Sequence, residues 1–417
     1  MFSWLIGITF LKLIYGPTLW FLKTIFYFLP IVRNRINFEK KNRLDIGSHS
    51  FSKIGEKADY CFEFSSEGEF QQVASLIEDA LNEGKKIELV YFSPSVEKTI
   101  YDLYAKFPDS LRFLRYSIFD LSFSKWITAP ELFLVRYDLF PEFFIWSLKP
   151  EHHLNMVWVT FKKERNLKKG IPFFKRIFLN NSEKIVFASQ QDLKTAKAYG
   201  FDGTFFDFRI EQIRRRIIKR EQTLNQKLSL YPQLESFFAK APFEKRVVFG
   251  NVWPEDIFLL KDLPSDYRCL IIPHKLDPDI IKKMSAELDA LKLSYQSLTE
   301  EEFAGADSQI IILVKKGVLC ELYSDFSRAY VGGGFGESIH SILEPLVAGC
   351  KSIACGPVHF RSTEFDIADS MKLLTVVNSS QEFGDWLCQD FAQTQLHDKL
   401  ESYFESYPLY RKDLLSC

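Results

Sequence analysis

Residues 330–364, YVGGGFGESIHSILEPLVAGCKSIACGPVHFRSTE, carry the pattern that decides the fold. A short apolar strand ends at Ala329-Tyr330-Val331 and runs into Gly332, Gly333, Gly334 and Gly336. Ser338 is placed to N-cap a helix carrying Ile339, Ile342, Leu343 and Leu346, and Gly349 to close it. A second strand, 351–355, stops at Gly356-Pro357. Strand, glycine turn, helix, strand is one βαβ unit. Glycines there let backbone N–H groups approach an anion at the helix N-terminus, where the dipole favours negative charge. His340 and Glu344, at i and i+4, are then predicted to share one helix face and to offer a donor and a carboxylate to a phosphate and a ribose. The same glycines also suit a plain tight turn with a solvated Glu344, and the pattern alone does not separate the two.

The same rhythm runs outward in both directions. Strands are predicted at 59–64, 87–92, 132–136, 156–160 and 184–188, with helices at 70–82 and 95–106 between the first of them. After a basic run at Arg214-Arg215-Arg216 the alternation restarts with strands at 246–249, 270–273 and 310–314, and 380–415 reads as helical. Strands alternating with helices predict parallel sheets covered on both faces, with ligands at the carboxyl ends of the strands.

The 417 residues leave room for two or three domains, and 47% apolar content supplies their cores. A net charge of −1 gives nucleic-acid binding no global support. The seven cysteines are scattered without a CxxC pair, which points to buried free thiols in a reducing compartment, and no histidine set is spaced for a metal.

Residues 1–31 are apolar and aromatic, interrupted by Lys12 and Lys23 on one helical face. No small-residue cleavage site follows. Two arrangements fit: a helix lying in the membrane interface with snorkelling lysines, or a short anchor kinked at Gly16-Pro17. Arg33, Arg35, Lys40, Lys41 and Arg43 would then sit on anionic headgroups.

GGGFGESIHSILEPLVAGCKSIACGP (332–357) resembles the C-terminal signature of bacterial Kdo transferases, which add 3-deoxy-D-manno-octulosonic acid (Kdo) to a lipid A precursor. In that family a Gly-Gly pair, a His-Asn-x-Leu-Glu helix and a Gly-Pro turn shape the CMP-Kdo pocket. The resemblance gives donor binding to Gly333, Gly334, Ser338, His340, Ser341, Glu344, Gly356 and Pro357, with Ser341 where the family usually has Asn. GNVWPED (250–256) resembles Gly-Ser-Thr/Ser-Trp-Pro-Glu-Asp and adds Gly250, Trp253 and Pro254, although Asn251 and Val252 replace two hydroxyl residues. His274-Lys275 takes the family's Pro-His or Pro-Arg position, and Glu364 is retained from its Asn-Phe-Arg-Glu loop.

In the first half, SSEGEF (65–70) is similar to the motif Ser-Val-Gly-Glu, whose Glu is the general base, and this places Glu69 in that role. A sugar hydroxyl has a high pKa, so a carboxylate must take its proton during attack. Capping of the helix N-terminus is the structural alternative for Glu69. VRYDLFPEFF (135–144) resembles the family's stretch with Glu-x-Trp-Pro-Asn or Tyr-Glu-Phe-Trp, with Asp138 replacing Glu as an acceptor contact or a support to the base. Asp207-Phe208-Arg209 resembles Gly-Asp-x-Arg-Phe-Asp and gives Arg209 a role in charge stabilisation. Lys162, Lys163, Arg165, Lys168, Lys169, Lys175 and Arg176 form either an ordinary charged face or a patch for lipid headgroups and acceptor phosphates.

The resemblance implies an α/β fold of the GT-B type, two Rossmann-like domains facing a central cleft, behind an N-terminal membrane-associated helix. Its parts would be an anchor or interfacial helix at 1–35, an acceptor domain at 36–207, a nucleotide-sugar domain at 208–392, and a helix at 393–417 crossing back to the first domain. It further implies inverting, metal-independent transfer from CMP-Kdo to a lipid A precursor at the cytoplasmic face of the inner membrane, without a cofactor. A GT-B enzyme using another nucleotide sugar, and a catalytically decayed membrane-bound homologue, are the alternatives.

Overall fold

A computed structural model describes residues 2–41, 56–119, 121, 123–136, 138–161, 171–298, 308–336, 339–359, 364, 374–391 and 396–415. The chain divides into two units, Met1–Arg209 with Leu409–Cys417, and Ile210–Pro408.

The first unit is built on strands β1 (Tyr60–Phe64), β2 (Ile87–Tyr91), β3 (Leu111–Arg115), β4 (Glu131–Val135), β5 (His153–Val159), β6 (Lys184–Phe187) and β7 (Thr204–Phe205). All their pairings are parallel, in the order β3-β2-β1-β4-β5-β6-β7. Helices cover both faces, so the central strands read as near-continuous apolar runs rather than alternating ones. Phe62 of β1 stacks on Phe133 of β4 at 4.8 Å between ring centroids. One residue breaks the run on β1: Glu63 is fully enclosed.

The second unit repeats the plan with β8 (Arg246–Val252), β9 (Arg268–Pro273), β10 (Tyr295–Leu298), β11 (Ile310–Leu313), β12 (Arg328–Val331), β13 (Ser352–Cys355) and β14 (Leu374–Val376). Its parallel order is β10-β11-β9-β8-β12-β13-β14. In both sheets the chain leaves the first strand toward one edge and later returns to its other side. The order therefore reverses between β1 and β4, and again between β8 and β12. Crevices outside the carboxyl ends of strands at such reversals are where open α/β sheets bind ligands.

The N-terminal segment has one helix long and apolar enough to cross a membrane, Leu5–Phe28, with mean hydropathy 1.6. Leu13, Trp20, Phe21 and Phe28 are exposed on it. Just before Gly16-Pro17 the helix makes a π turn over Leu11–Tyr15, closed by the Gly16 N–H on the Leu11 carbonyl. The following helix, Pro30–Lys41, is fixed to the first unit, which corrects one expectation. Arg35 does not point to headgroups: it donates to the carbonyls of Phe92 at 2.9 Å and Tyr116 at 3.1 Å, and pairs with Glu39 at 2.7 Å. Those carbonyls lie one residue beyond β2 and β3, so the apolar segment is tied to the ligand-binding edge of the sheet.

Candidate functional site

At the reversal of the first sheet, β1 gives way to Ser65 and a single helical turn, Glu67–Phe70. Glu69 folds back over this turn, and its carboxylate accepts the Ser65 N–H at 2.7 Å. It is 8% exposed. Burial pushes its pKa up, the Ser65 amide pulls it down, and the Asp138 charge adds to the rise, for a net shift upward. Asp138, just past β4, accepts the Ser65 hydroxyl proton, and burial raises its pKa too. A serine thus holds two carboxyls, one by its amide and one by its hydroxyl.

Sequence reasoning missed the rest of this group. Glu63 reaches Asp138 from β1. Arg136 and Trp158, at the ends of β4 and β5, have φ of 80° and 63°, a left-handed backbone rare for such side chains. Trp158 sits at the register shift between β5 and β6, with the guanidinium of Arg136 at 4.6 Å and that of Arg209 at 4.7 Å from its ring. The only sequence signal was a charge inside an apolar strand. Arg209 is paired: its Nε donates to Asp207 at 2.9 Å. Among the described residues no group of three His, Cys, Asp or Glu is set to hold a metal ion.

The glycine stretch at the reversal of the second sheet is built differently from its reading. The predicted helix at Ser338 begins only at Leu343 and runs to Val347, and Ser338 itself lies outside the described residues. Pro345 explains the late start: a helix from 339 would place it in the interior, where its ring meets the carbonyl four residues back. Nor is the helix N-terminus open to an anion. Glu364 occupies it, accepting the N–H of Ile342 at 2.8 Å and of Leu343 at 3.1 Å, and the Ser341 hydroxyl at 2.9 Å. Ser341 and Glu364 are therefore partners of each other.

The glycines serve backbone packing. A Cβ on Gly334 would stand 2.5 Å from the Gly356 backbone, and one on Gly332 would strike Asn251 and Val252. Gly333 needs its φ of 91°, and its N–H is taken by Asp256 at 3.2 Å. That buried carboxylate also accepts from the Tyr330 hydroxyl and the Trp253 N–H, both at 2.8 Å, which fixes the Trp253-Pro254 turn beside Gly250.

With no helix at 340, His340 and Glu344 do not share a face. His340 stacks on His274 at 4.0 Å, His274 lies 5.0 Å from Trp253, and the Lys275 ammonium is 5.2 Å from the Trp253 ring. Burial and the neighbouring His274 push the His340 imidazole down to about 4, and burial and Lys275 lower that of His274. Glu344 turns instead to Arg216 at 3.3 Å; burial raises its pKa and Arg216 offsets part of the rise. Beside these groups opens a cavity of about 630 Å³ at the carboxyl ends of β8, β9 and β11, lined by Arg216, His274, Lys275, Lys315, Lys316 and Glu344. Arg216 is also held by Glu321 at 3.0 and 3.1 Å, so Lys275, Lys315 and Lys316 give the cavity its cationic lining, which suits an anion.

Of the basic patch, Lys162, Lys163, Arg165, Lys168 and Lys169 lie outside the described residues. Lys175 is corrected: it is buried, its ammonium donating to the Thr160 carbonyl at 2.5 Å and lying over the Phe161 ring, so it does not face headgroups. Arg176 is exposed, next to Phe173 and Phe174, which are also exposed.

No family model matches the chain. A 3-deoxy-D-manno-octulosonic acid transferase of Chlamydophila psittaci (strain ATCC VR-125 / 6BC) is 32% identical over 131 residues, 30% of this chain and 29% of that relative. The match thus spans under a third of the relative's length. Among solved structures, UGT73P12 of Glycyrrhiza uralensis, in complex with glycyrrhetinic acid 3-O-monoglucuronide, aligns with a TM-score of 0.53 at 7% identity, over 87% of this chain and 92% of that one. The UDP-GlcNAc 2-epimerase of Neisseria meningitidis aligns at 0.51 and 12% identity, over 86% and 94%. The fold is of the GT-B type. Transferases and epimerases share the GT-B architecture, so at such identities it fixes the fold and leaves the reaction to the site. The C-terminal CMP-Kdo binding domain of WaaA from Acinetobacter baumannii aligns at 18% identity over 48% of this chain and 94% of that one, with a TM-score of 0.31.

Proposed function

We propose that this protein is an inverting glycosyltransferase that moves Kdo from CMP-Kdo to a lipid A precursor, without a metal, at the cytoplasmic face of the inner membrane. The observation that carries the reading is Glu69: a buried carboxylate with a raised pKa, locked by Ser65 at the sheet reversal where acceptors bind. The acceptor hydroxyl loses its proton to Glu69 as its oxygen bonds the anomeric carbon of Kdo, and the bond from that carbon to the phosphate oxygen breaks. CMP leaves with the electron pair, and the anomeric centre inverts. The cationic cavity beside Lys275, Lys315 and Lys316 supplies the groups to balance the phosphate charge, which is the largest expected contribution in such a reaction.

Kdo as the sugar is supported by the relative in Chlamydophila psittaci together with the motifs around residues 69, 250–256 and 332–357. A lipid acceptor is supported by the apolar segment that Arg35 ties to the edge carrying Glu69. Incubation with lipid A precursor and CMP-Kdo generated in situ, read by mass spectrometry, tests the reading. The expected product gains Kdo, turnover survives chelation of divalent ions, and UDP- and ADP-sugars do not substitute. Product formed only from another nucleotide sugar would overturn it.

A further inference from the structure

Enclosed carboxylates are costly unless hydrogen-bond donors surround them. The first unit shows what a satisfied one looks like. Glu88, fully enclosed on β2, accepts from the N–H groups of Thr128 and Ala129, the Thr128 hydroxyl and Arg112. Glu142 accepts from the Ser124 N–H and hydroxyl and from Tyr116. Glu63, equally enclosed on the neighbouring strand β1, has no donor on either oxygen among the described residues. What stands within hydrogen-bond reach is the Asp138 carboxyl. Two carboxylates both accept, so no bond forms between them unless one carries a proton.

We propose that Glu63 holds that proton and donates it to Asp138, so that the two carboxyls carry a single negative charge and Asp138 stays an anion beside Glu69. Glu63 is a positioning residue: it touches no substrate. Asp138, anchored by Glu63 on one side and by the Ser65 hydroxyl on the other, is the fixed like charge that keeps Glu69 a strong base. The other titratable groups facing Glu63 agree with this polarity. Cys61, two residues earlier on the same strand, and Tyr116 beyond β3 are both held neutral by burial. Arg136 lowers the pKa of Glu69. The role in catalysis rests on the proposed transferase reading; the location of the proton does not.

The experiment uses the full chain in two measurements. The infrared spectrum at neutral pH is expected to contain a protonated-carboxyl stretch that disappears in Glu63→Gln. In the transfer assay Glu63→Gln, whose amide still donates to Asp138, is expected to keep turnover within about threefold and the same acid limb. Glu63→Leu removes the donor; Asp138 then takes up a proton itself, Glu69 loses its like charge, the acid limb moves to lower pH, and turnover falls about tenfold or more. A wild-type spectrum without that band, or a Glu63→Gln variant as impaired as Glu63→Leu, overturns the proposal. If the wild type transfers nothing from CMP-Kdo, the transferase reading fails while the infrared result still decides where the proton sits.

Discussion

A carboxylate removes a proton efficiently near neutral pH only when its surroundings resist its charge, and Glu69 has such surroundings in burial and in Asp138. Glu69→Gln keeps the shape and the burial but not the base, so kcat is expected to fall about 10²–10⁴-fold in the Kdo transfer assay. With the wild type, kcat should decline as pH drops through the raised pKa of Glu69, at a higher pH than for an exposed glutamate. The stacked histidines titrate in the opposite sense. The folded state holds His340 at about 4, below its unfolded value, so unfolding takes up a proton between the two. That part of the stability is present above the unfolded pKa and is lost as pH falls from there toward 4. His340→Phe keeps a ring on His274 and cannot charge, so its denaturation midpoint should fall less than that of the wild type on acidification. The place of Glu69 in the turn after β1 was legible because it ends a motif. Glu63 was not, because one acid in an apolar run looks like noise until its neighbours are known.

At the scale of elements, the alternation of strands and helices read correctly, and with it the parallel sheets, because burial on both faces leaves long apolar runs separated by polar turns. The helix after the glycine turn did not. Its spacing of Ile339, Ile342, Leu343 and Leu346 is helical, yet Pro345 forbids the early turn, and the capping carboxylate, Glu364, lies 22 positions beyond Ile342. A signal that distant has no local trace. The glycines likewise looked like an anion cradle, whereas Gly334 and Gly356 exist to let two backbones touch. Two substitutions separate these roles. Gly349→Ala meets nothing within 4 Å and is strained only by its φ of 90°, so it should cost about 1–2 kcal/mol in chemical denaturation. Gly334→Ala drives a methyl into the Gly356 backbone and should cost more, about 3 kcal/mol or above, or leave the protein insoluble. Equal losses in the two variants would show that the Gly334–Gly356 approach is not tight.

For the whole molecule, the question is why a segment long and apolar enough to cross a membrane is fastened where it is. The sequence shows the apolar run and the basic residues after it, and the obvious reading sends all those charges to headgroups. Arg35 instead spans the carbonyls beyond β2 and β3. The next residue, Ser93, donates to the Ser65 carbonyl at 2.8 Å, and Ser65 in turn holds Glu69. A short covalent and hydrogen-bonded path therefore links the apolar segment to Glu69. Such a link has a use if the acceptor is a lipid whose hydroxyl must be presented at a fixed height above the membrane, since small misplacements of a reacting group cost rate steeply. Arg35→Ala should leave co-sedimentation with anionic vesicles unchanged, because Leu5–Phe28 is intact. Turnover on acceptor embedded in those vesicles should drop roughly three- to tenfold, and turnover on detergent-dispersed acceptor should drop less, because there the height of the base no longer matters. Equal losses on both forms of acceptor would mean that Arg35 merely stabilises the loop after β2. Loss of vesicle binding itself would mean that its charge belongs to the membrane after all.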